Sequence, residues 1–268
     1  MPSARRPDRH AAKRGGELTA GAASITALIG EEALDAELAA LLWLLLEAPT
    51  PVVVCGPTDL EARRRVMAAL IPLSSADAGA RPTPIILGRA DPWGPVLRAR
   101  LLALWPAEPF ALIAEADSLL DLMATALDST PGLTEDELRA LGLVVVVGAD
   151  GRIDAAHVLR PVERDGAGHL QRRPPAVLAA RDPRLGRLED FAWGVMPELA
   201  DRIDREQADL ERRRSTRADF LAELAAAGID DPAVVELRLA EHLRSEPPRR
   251  PAPVRPPAGS SEAGAPNA

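Results

Sequence analysis

Residues 52–67 read VVVCGPTDLEARRRVM, and this stretch decides the fold of the chain. The unbroken apolar run Val52–Cys55 predicts a strand that is covered on both faces. The tripeptide GPT at residues 56–58 then turns the chain, and Asp59 is a suitable N-cap for a helix that follows at once. Backbone N–H groups and a helix dipole converge at such a turn, so the pattern is typical of places where α/β proteins hold phosphate.

Three further apolar runs follow, and segments with helical periodicity separate them. The runs lie at residues 85–87, 110–114 and 144–147. An alternation of helices with fully apolar strands predicts a mostly parallel sheet sandwiched between helices, which is a three-layer α/β architecture.

The expected organisation places a folded body between two polar tails. Residues 1–17 are basic, and residues 246–268 are rich in proline, alanine, glycine and serine. Neither segment can bury enough apolar surface to offset the entropy of ordering, so we expect both to be disordered. We expect an α/β domain over 18–196, in which residues 149–180 form a β-hairpin at the sheet edge. Residues 197–245 are predicted to be a helical C-terminal segment.

Composition argues against nucleic acid as a partner and against a membrane-spanning segment. The chain has 268 residues, a net charge of −8 and a single cysteine. A nucleic-acid groove needs a basic stripe, so the acidic balance argues against that partner. One cysteine cannot form an intrachain disulfide, which fits a reducing, cytoplasmic compartment. The longest apolar run, 38–46, is far shorter than the about 20 residues that cross a bilayer, so we expect membrane association only through partners.

The loop after the first strand departs from a working phosphate loop. That loop reads G-x-x-x-x-G-K-[ST], where the second glycine lets the backbone fold under the phosphates, the lysine neutralises them and the hydroxyl holds magnesium. From Gly56 this chain reads GPTDLEAR. Glu61 stands at the second glycine, Ala62 at the lysine and Arg63 at the hydroxyl. The only lysine of the chain is Lys13, in the basic tail. The sequence therefore predicts neither a catalytic residue nor a metal site here.

Two interpretations of the loop stay open on the residues alone. In the first, it is a degenerate nucleotide site for ATP and magnesium, in which Arg63 or Arg64 replaces the lysine. In the second, it is an ordinary β–α turn followed by a solvated, arginine-rich helix face. The candidate nucleotide-binding residues of the first interpretation are Gly56, Pro57, Thr58, Asp59, Ala62, Arg63 and Arg64.

The wider sequence resembles the motor-domain family of type II and type IV secretion ATPases, which includes the pilus-assembly ATPases. Residues 41–70 are similar to that family's approach to its phosphate loop, and FALIAEADS at 110–118 is similar to its histidine box. The segments AAHVLRPVE at 155–163 and RRPP at 172–175 lie where relatives carry the last strands of the motor. The resemblance covers about residues 20–228 and rests on the order and spacing of these segments.

The resemblance implies a P-loop NTPase fold of the RecA-like type, with an edge β-hairpin and C-terminal helices. It also implies that two more catalytic positions are replaced. The family's catalytic glutamate corresponds to Arg89, and its histidine-box histidine corresponds to Glu115. Since phosphoryl transfer depends on positioning and on cationic stabilisation of the phosphates, these losses together with Ala62 should remove ATP hydrolysis.

The function implied is that of a catalytically inactive motor relative, a structural or regulatory subunit of a secretion-like machine. Its partners would be an active ATPase paralogue or pilus and secretion components, in a homo- or hetero-oligomer. The alternatives are a nucleotide-binding but non-hydrolysing switch, a divergent active ATPase, and an unrelated α/β protein-interaction module. Topology discriminates the last from the others, because motor ancestry requires a central strand Val52–Cys55 with strands 85–88 and 110–114 as its neighbours.

Overall fold

The computed structural model describes residues 23–48, 50–74, 81–104, 110–164 and 168–247. The predicted N-terminal tail, and the C-terminal tail from residue 248, lie outside the described residues. The helices are α1 Ile25–Gly30, α2 Ala36–Glu47, α3 Leu60–Leu70, α4 Trp93–Leu104, α5 Leu119–Asp128, α6 Glu135–Arg139, α7 Met196–Arg202, α8 Gln207–Ala226 and α9 Pro232–Ser245. The strands are β1 Val52–Cys55, β2 Ile85–Leu87, β3 Ala111–Ala114, β4 Leu143–Val147, β5 Ile153–Val158, β6 Glu163–Arg164, β7 Leu170–Gln171, β8 Ala176–Arg181 and β9 Leu188–Asp190.

Seven strands form one mixed sheet in the order β2-β3-β1-β4-β5-β8-β9. The strands from β2 to β4 run parallel, and β5, β8 and β9 are added antiparallel. The apolar runs form β1, β3 and β4 because each is buried on both sides, as the sequence predicted. The fold is therefore α/β with a largely parallel sheet between helices, compatible with a three-layer sandwich.

Two helical layers cover the sheet. Alternate side chains of the central strands point to opposite faces, so Val52 and Val54 join one core while Val53 and Cys55 join the other. Helices α1, α2, α3 and α8 contribute to the first core, and α4, α5 and α6 contribute to the second. Within the described chain, no helix has both the length and the apolar content needed to cross a lipid bilayer.

The strand order agrees in part with the one expected for motor ancestry. Strand β1 is central, but its two neighbours are β3 and β4. Strand β2 pairs with β3 and lies one strand further out. Apolar runs predict which segments are strands, but parallel strands of similar composition carry no mark of their order.

The predicted hairpin is present but does not form the edge. Strands β5 and β8 are its two arms, and β5 joins the sheet by pairing with β4. Strand β9 follows and pairs with β8, so this short strand is the edge of the sheet. The connection between β5 and β8 carries a separate two-stranded ribbon, β6 and β7. The sequence does not predict β9, because two of its three residues are charged and it contains no apolar run.

A closed ring of buried charges fastens the C-terminal helices to α2. Arginines and carboxylates alternate around it, and every side chain is less than a tenth exposed. The ring runs Glu47, Arg205, Asp209, Arg213, Glu246, Arg217 and back to Glu47. We call this set the buried ion ring. It joins the end of α2, the connection between α7 and α8, the start and middle of α8, and the residue after α9.

Arg217 is the member that contacts most of the ring's surroundings. Its guanidinium lies 2.7 Å from Glu246 and 2.8 Å from Glu47, and it stacks 4.2 Å from the ring centroid of Trp43. Burial alone would lower the pKa of Arg217, but hydrogen bonding to Glu246 and the charge of Glu47 raise it. Burial likewise opposes the ionised form of Glu246, yet Arg217, His242 and Arg213 hold the pKa of that carboxyl well below its usual range.

The buried ion ring also corrects the start of the C-terminal tail. Glu246 lies in the segment predicted to be disordered, but its side chain is only 9% exposed and is held by two arginines. The next residue, Pro247, accepts a hydrogen bond from Arg213 at 2.6 Å. The folded body therefore extends at least to residue 247, because a carboxylate outside the last helix completes a charge network inside it.

Substitution of one ring member should destabilise the protein strongly. We expect Arg217→Met to lower the free energy of unfolding by about 3–5 kcal/mol, because it leaves Glu47 and Glu246 buried with fewer cationic partners. Urea unfolding followed by circular dichroism measures this change. The control is Arg238→Met, which removes an exposed pair with Glu241 and should cost less than about 1 kcal/mol. Equal losses in the two variants would contradict a stabilising role for the ring.

Candidate functional site

Gly56 is clamped between the ends of two neighbouring strands. Its φ is +141°, and an added Cβ would lie 1.9 Å from the carbonyl oxygen of Val147. Its N–H donates to the carbonyl oxygen of Ala116 at 2.7 Å. Only glycine fits this approach and this backbone conformation. The N–H that would begin a phosphate cradle is therefore already bonded within the chain.

The N-terminus of α3 is capped by the chain's own carboxylate. Asp59 Oδ1 accepts a hydrogen bond from the backbone N–H of Ala62 at 2.7 Å. Glu61 adds a second carboxylate in the first turn of α3. Negative charge at a helix N-terminus is favoured by the helix dipole, and here Asp59 supplies it where a phosphate would otherwise bind. Pro57 is exposed and Thr58 is half-buried beside this cap.

Arg63 faces inward and is bonded to backbone carbonyls. Its side chain donates to the carbonyl oxygen of Ala114, at the end of β3, and through Nε to that of Asp59 at 3.3 Å. The residue is 7% exposed. These contacts argue against Arg63 as the replacement for the loop lysine, because its donors are directed to carbonyl oxygens.

The inward position of Arg63 has a recognisable cause in the sequence. Positions 63, 66, 67 and 70 have the i, i+3, i+4, i+7 spacing of one helix face, and the last three are Val66, Met67 and Leu70. Arg63 therefore lies on the apolar stripe of α3. The run of three arginines concealed this, because it reads as one charged surface.

The neighbouring arginines are bound to carboxylates on the surface. Arg64 lies 3.8 Å from Glu61, and its side chain is 38% exposed. Arg65 pairs with Glu31, in the turn after α1. Of the two candidate replacements for the lysine, only Arg64 remains at a solvent-accessible position.

Arg89 and Glu115, predicted as replaced catalytic positions, do lie together. The backbone N–H of Arg89 donates to Glu115 Oε2 at 3.2 Å. The Arg89 guanidinium pairs with Asp121 at 2.7 Å and Asp117 at 3.0 Å. Hydrogen bonding to Asp121 raises the pKa of Arg89, and the same contact lowers the pKa of the Asp121 carboxyl. This arrangement is an arginine enclosed by carboxylates at the ends of β2 and β3.

Asp121 is the member of this group that the sequence analysis missed. It also accepts the N–H of Asp117 at 2.8 Å, so it organises the start of α5. Its position three residues after the N-cap Ser118 is typical of a helix start, which hid its second partner. Within the described parts of the chain, no group of three or more histidine, cysteine or carboxylate side chains has the arrangement of a metal site.

Cys55 ends β1 directly before the loop. It is fully buried, and burial raises the pKa of its thiol to about 12. The nearby Arg63 opposes this shift, while Asp121 and Asp117 add to it. The thiol is therefore uncharged at neutral pH and is not a nucleophile, because the thiolate is the reactive form.

Comparison with known proteins gives no family for this chain. No protein-family model matches it, and no curated protein matches it. The fold and the loop together define an α/β protein in which polar groups of the chain itself form hydrogen bonds at the β1–α3 turn.

Removal of the inward arginine should reveal its structural role. We expect Arg63→Met to lower the free energy of unfolding by about 1–3 kcal/mol, because the carbonyls of Ala114 and Asp59 lose a buried donor. The matched control is Arg64→Met, for which the change should be within about 0.5 kcal/mol. Urea unfolding of both variants measures the difference. A larger loss for Arg64→Met than for Arg63→Met would contradict this assignment.

Proposed function

We propose that this chain is a non-hydrolysing relative of the secretion and pilus-assembly ATPase motors, and that it acts as a structural or regulatory subunit in the cytoplasm. The observation that carries the proposal is the filled cradle after β1. Asp59 caps the helix, the Gly56 N–H is bonded to Ala116, and Arg63 is bonded to the carbonyl of Ala114. A P-loop NTPase needs free N–H groups, a lysine and a hydroxyl at these places.

The electrostatics at the same end of the sheet support the proposal. Glu61, Glu115, Asp117 and Asp121 bring negative charge to the region where a nucleotide would place its phosphates. The cations there are already paired, since Arg89 is held by two aspartates and Arg64 lies near Glu61. A polyphosphate would therefore meet carboxylates without an uncommitted cation at the loop.

A second candidate is an unrelated α/β protein-interaction module. The observation that favours it is the separation of β2 from β1 by β3, which is the one part of the neighbour relation expected for motor ancestry that the sheet does not have. Under this candidate the GPT turn is an ordinary β–α connection. Both candidates describe a protein that acts through its surfaces and its protein partners, without nucleic acid and with membranes reached only through partners.

We expect the purified chain to bind neither ATP nor ADP. Isothermal titration calorimetry with magnesium present should show no binding at about 1 mM nucleotide, which corresponds to a binding free energy weaker than about −4 kcal/mol. The physical reason is that the N–H groups of Gly56 and Ala62 are already bonded within the chain, and that Arg63 and Arg64 are directed to oxygen atoms of the chain itself. Arg64→Ala is the matched variant, since Arg64 is the one exposed replacement for the lysine. Binding by the natural chain that Arg64→Ala abolishes would support the nucleotide-binding switch instead.

The assembly role predicts identifiable partners. Tagged full-length chain, purified from cells that naturally express it, should enrich an ATPase with an intact G-x-x-x-x-G-K-[ST] loop, or pilus and secretion components. Quantitative mass spectrometry against the tag alone measures the enrichment. Consistent enrichment of other proteins, with none of these classes present, would contradict the motor-related role and favour the interaction module.

A further inference from the structure

Among the described residues, β9 is the last strand of the sheet and pairs only with β8. The N–H of Asp182 donates to the carbonyl of Arg187 at 2.9 Å, so Arg187 directs its backbone groups toward β8. Backbone direction alternates along an antiparallel strand. The N–H and C=O groups of Leu188 and Asp190 therefore point away from β8, where a further strand would bind.

The two faces of β9 differ in character. Leu188 packs against the core, and Asp190 pairs with Arg214 of α8 at 2.9 Å, so these two side chains lie on the helix-covered face. Arg187 and Glu189 lie on the opposite face and are exposed. Among the described residues neither has an ion-pair partner. Exposed edge strands usually carry charges that repel further strands, but here the two charges are opposite in sign and two residues apart.

We propose that two copies of this chain associate through β9, antiparallel and about a two-fold axis at Leu188. In this register Leu188 of one copy faces Leu188 of the second copy, and both have outward backbone groups that can form ladder hydrogen bonds. Each Arg187 then stands directly opposite Glu189 of the second copy, twice by symmetry. Opposite charges at facing positions stabilise antiparallel pairs. Centring the pair on Glu189 would instead set two carboxylates against each other.

Exposed apolar side chains flank the same edge. Leu185, in the turn before β9, is 59% exposed, and Phe191, directly after β9, is 41% exposed. Antiparallel pairing brings the start of one strand beside the end of the other, so Leu185 of each copy comes next to Phe191 of the second copy. Trp193, which is 75% exposed, lies two residues further along. Aromatic side chains of this kind are typical anchors of protein interfaces. This inference is independent of the proposed loss of ATP hydrolysis.

A charge-swap series tests the interface with the full-length chain. Sedimentation velocity from about 1 to about 100 µM should show a monomer–dimer equilibrium. Glu189→Arg, which sets two arginines opposite each other, and Arg187→Glu, which does the same with two carboxylates, should each weaken the dimer roughly tenfold or more. The double variant restores opposite charges and should recover affinity to within about threefold of the natural chain. Asp128→Arg, an exposed charge reversal at the end of α5, serves as the control and should leave the dimer unchanged.

Three outcomes would overturn the proposal. The first is a natural chain that stays monomeric throughout the concentration range. The second is an oligomer that both single variants leave unaffected, because association would then use another surface. The third is a double variant that keeps the circular dichroism spectrum of the natural chain but fails to recover the dimer.

Discussion

Helix α2 is apolar on every side, and this constraint determines how the layers of the protein are arranged. Nine consecutive residues, from Leu38 to Leu46, are buried. A helix of this kind must be covered by the sheet on one side and by other helices on the rest. Helix α8 provides that cover, so the C-terminal helices share one core with the α/β domain. The buried ion ring lies where α8 meets the end of α2. Covering α2 therefore also buries six charged side chains, and the ion pairs of the ring offset part of their desolvation.

The same principle explains which parts of the fold the sequence predicts. Apolar runs correctly predict β1, β3 and β4, because a strand buried on both faces cannot contain polar residues. The order of the strands and the short β9 leave no such mark on composition. The buried positions of Arg63 and Arg217 are not predicted by the sequence, for one shared reason. Each lies on the apolar stripe of its helix, and arginine is usually counted as a surface residue without regard to its position on the helix.

The candidate site shows a similar division. The spacing of residues 56–63 predicts that the lysine and the second glycine are lost, and this depends on the sequence alone. The direction of each remaining side chain depends on packing. Asp59 caps the helix as its residue type predicts, whereas the bond from Arg63 to Ala114 joins segments 51 residues apart. Local patterns identify which groups a loop has available, and the fold decides which of those groups are already bonded.

The bonding of Arg63 bears directly on the choice between an ordinary turn and a former phosphate site. An ordinary β–α turn needs only a glycine and a helix cap, which Gly56 and Asp59 supply. It does not need a buried guanidinium, whose desolvation must be offset by hydrogen bonds. In this chain the Arg63 guanidinium lies at the end of β3, where it donates to backbone carbonyl oxygens. Phosphate binding would require the opposite arrangement, with N–H donors directed at an anion. Arg63 would therefore have to leave these carbonyl oxygens before it could bind the phosphates of a nucleotide.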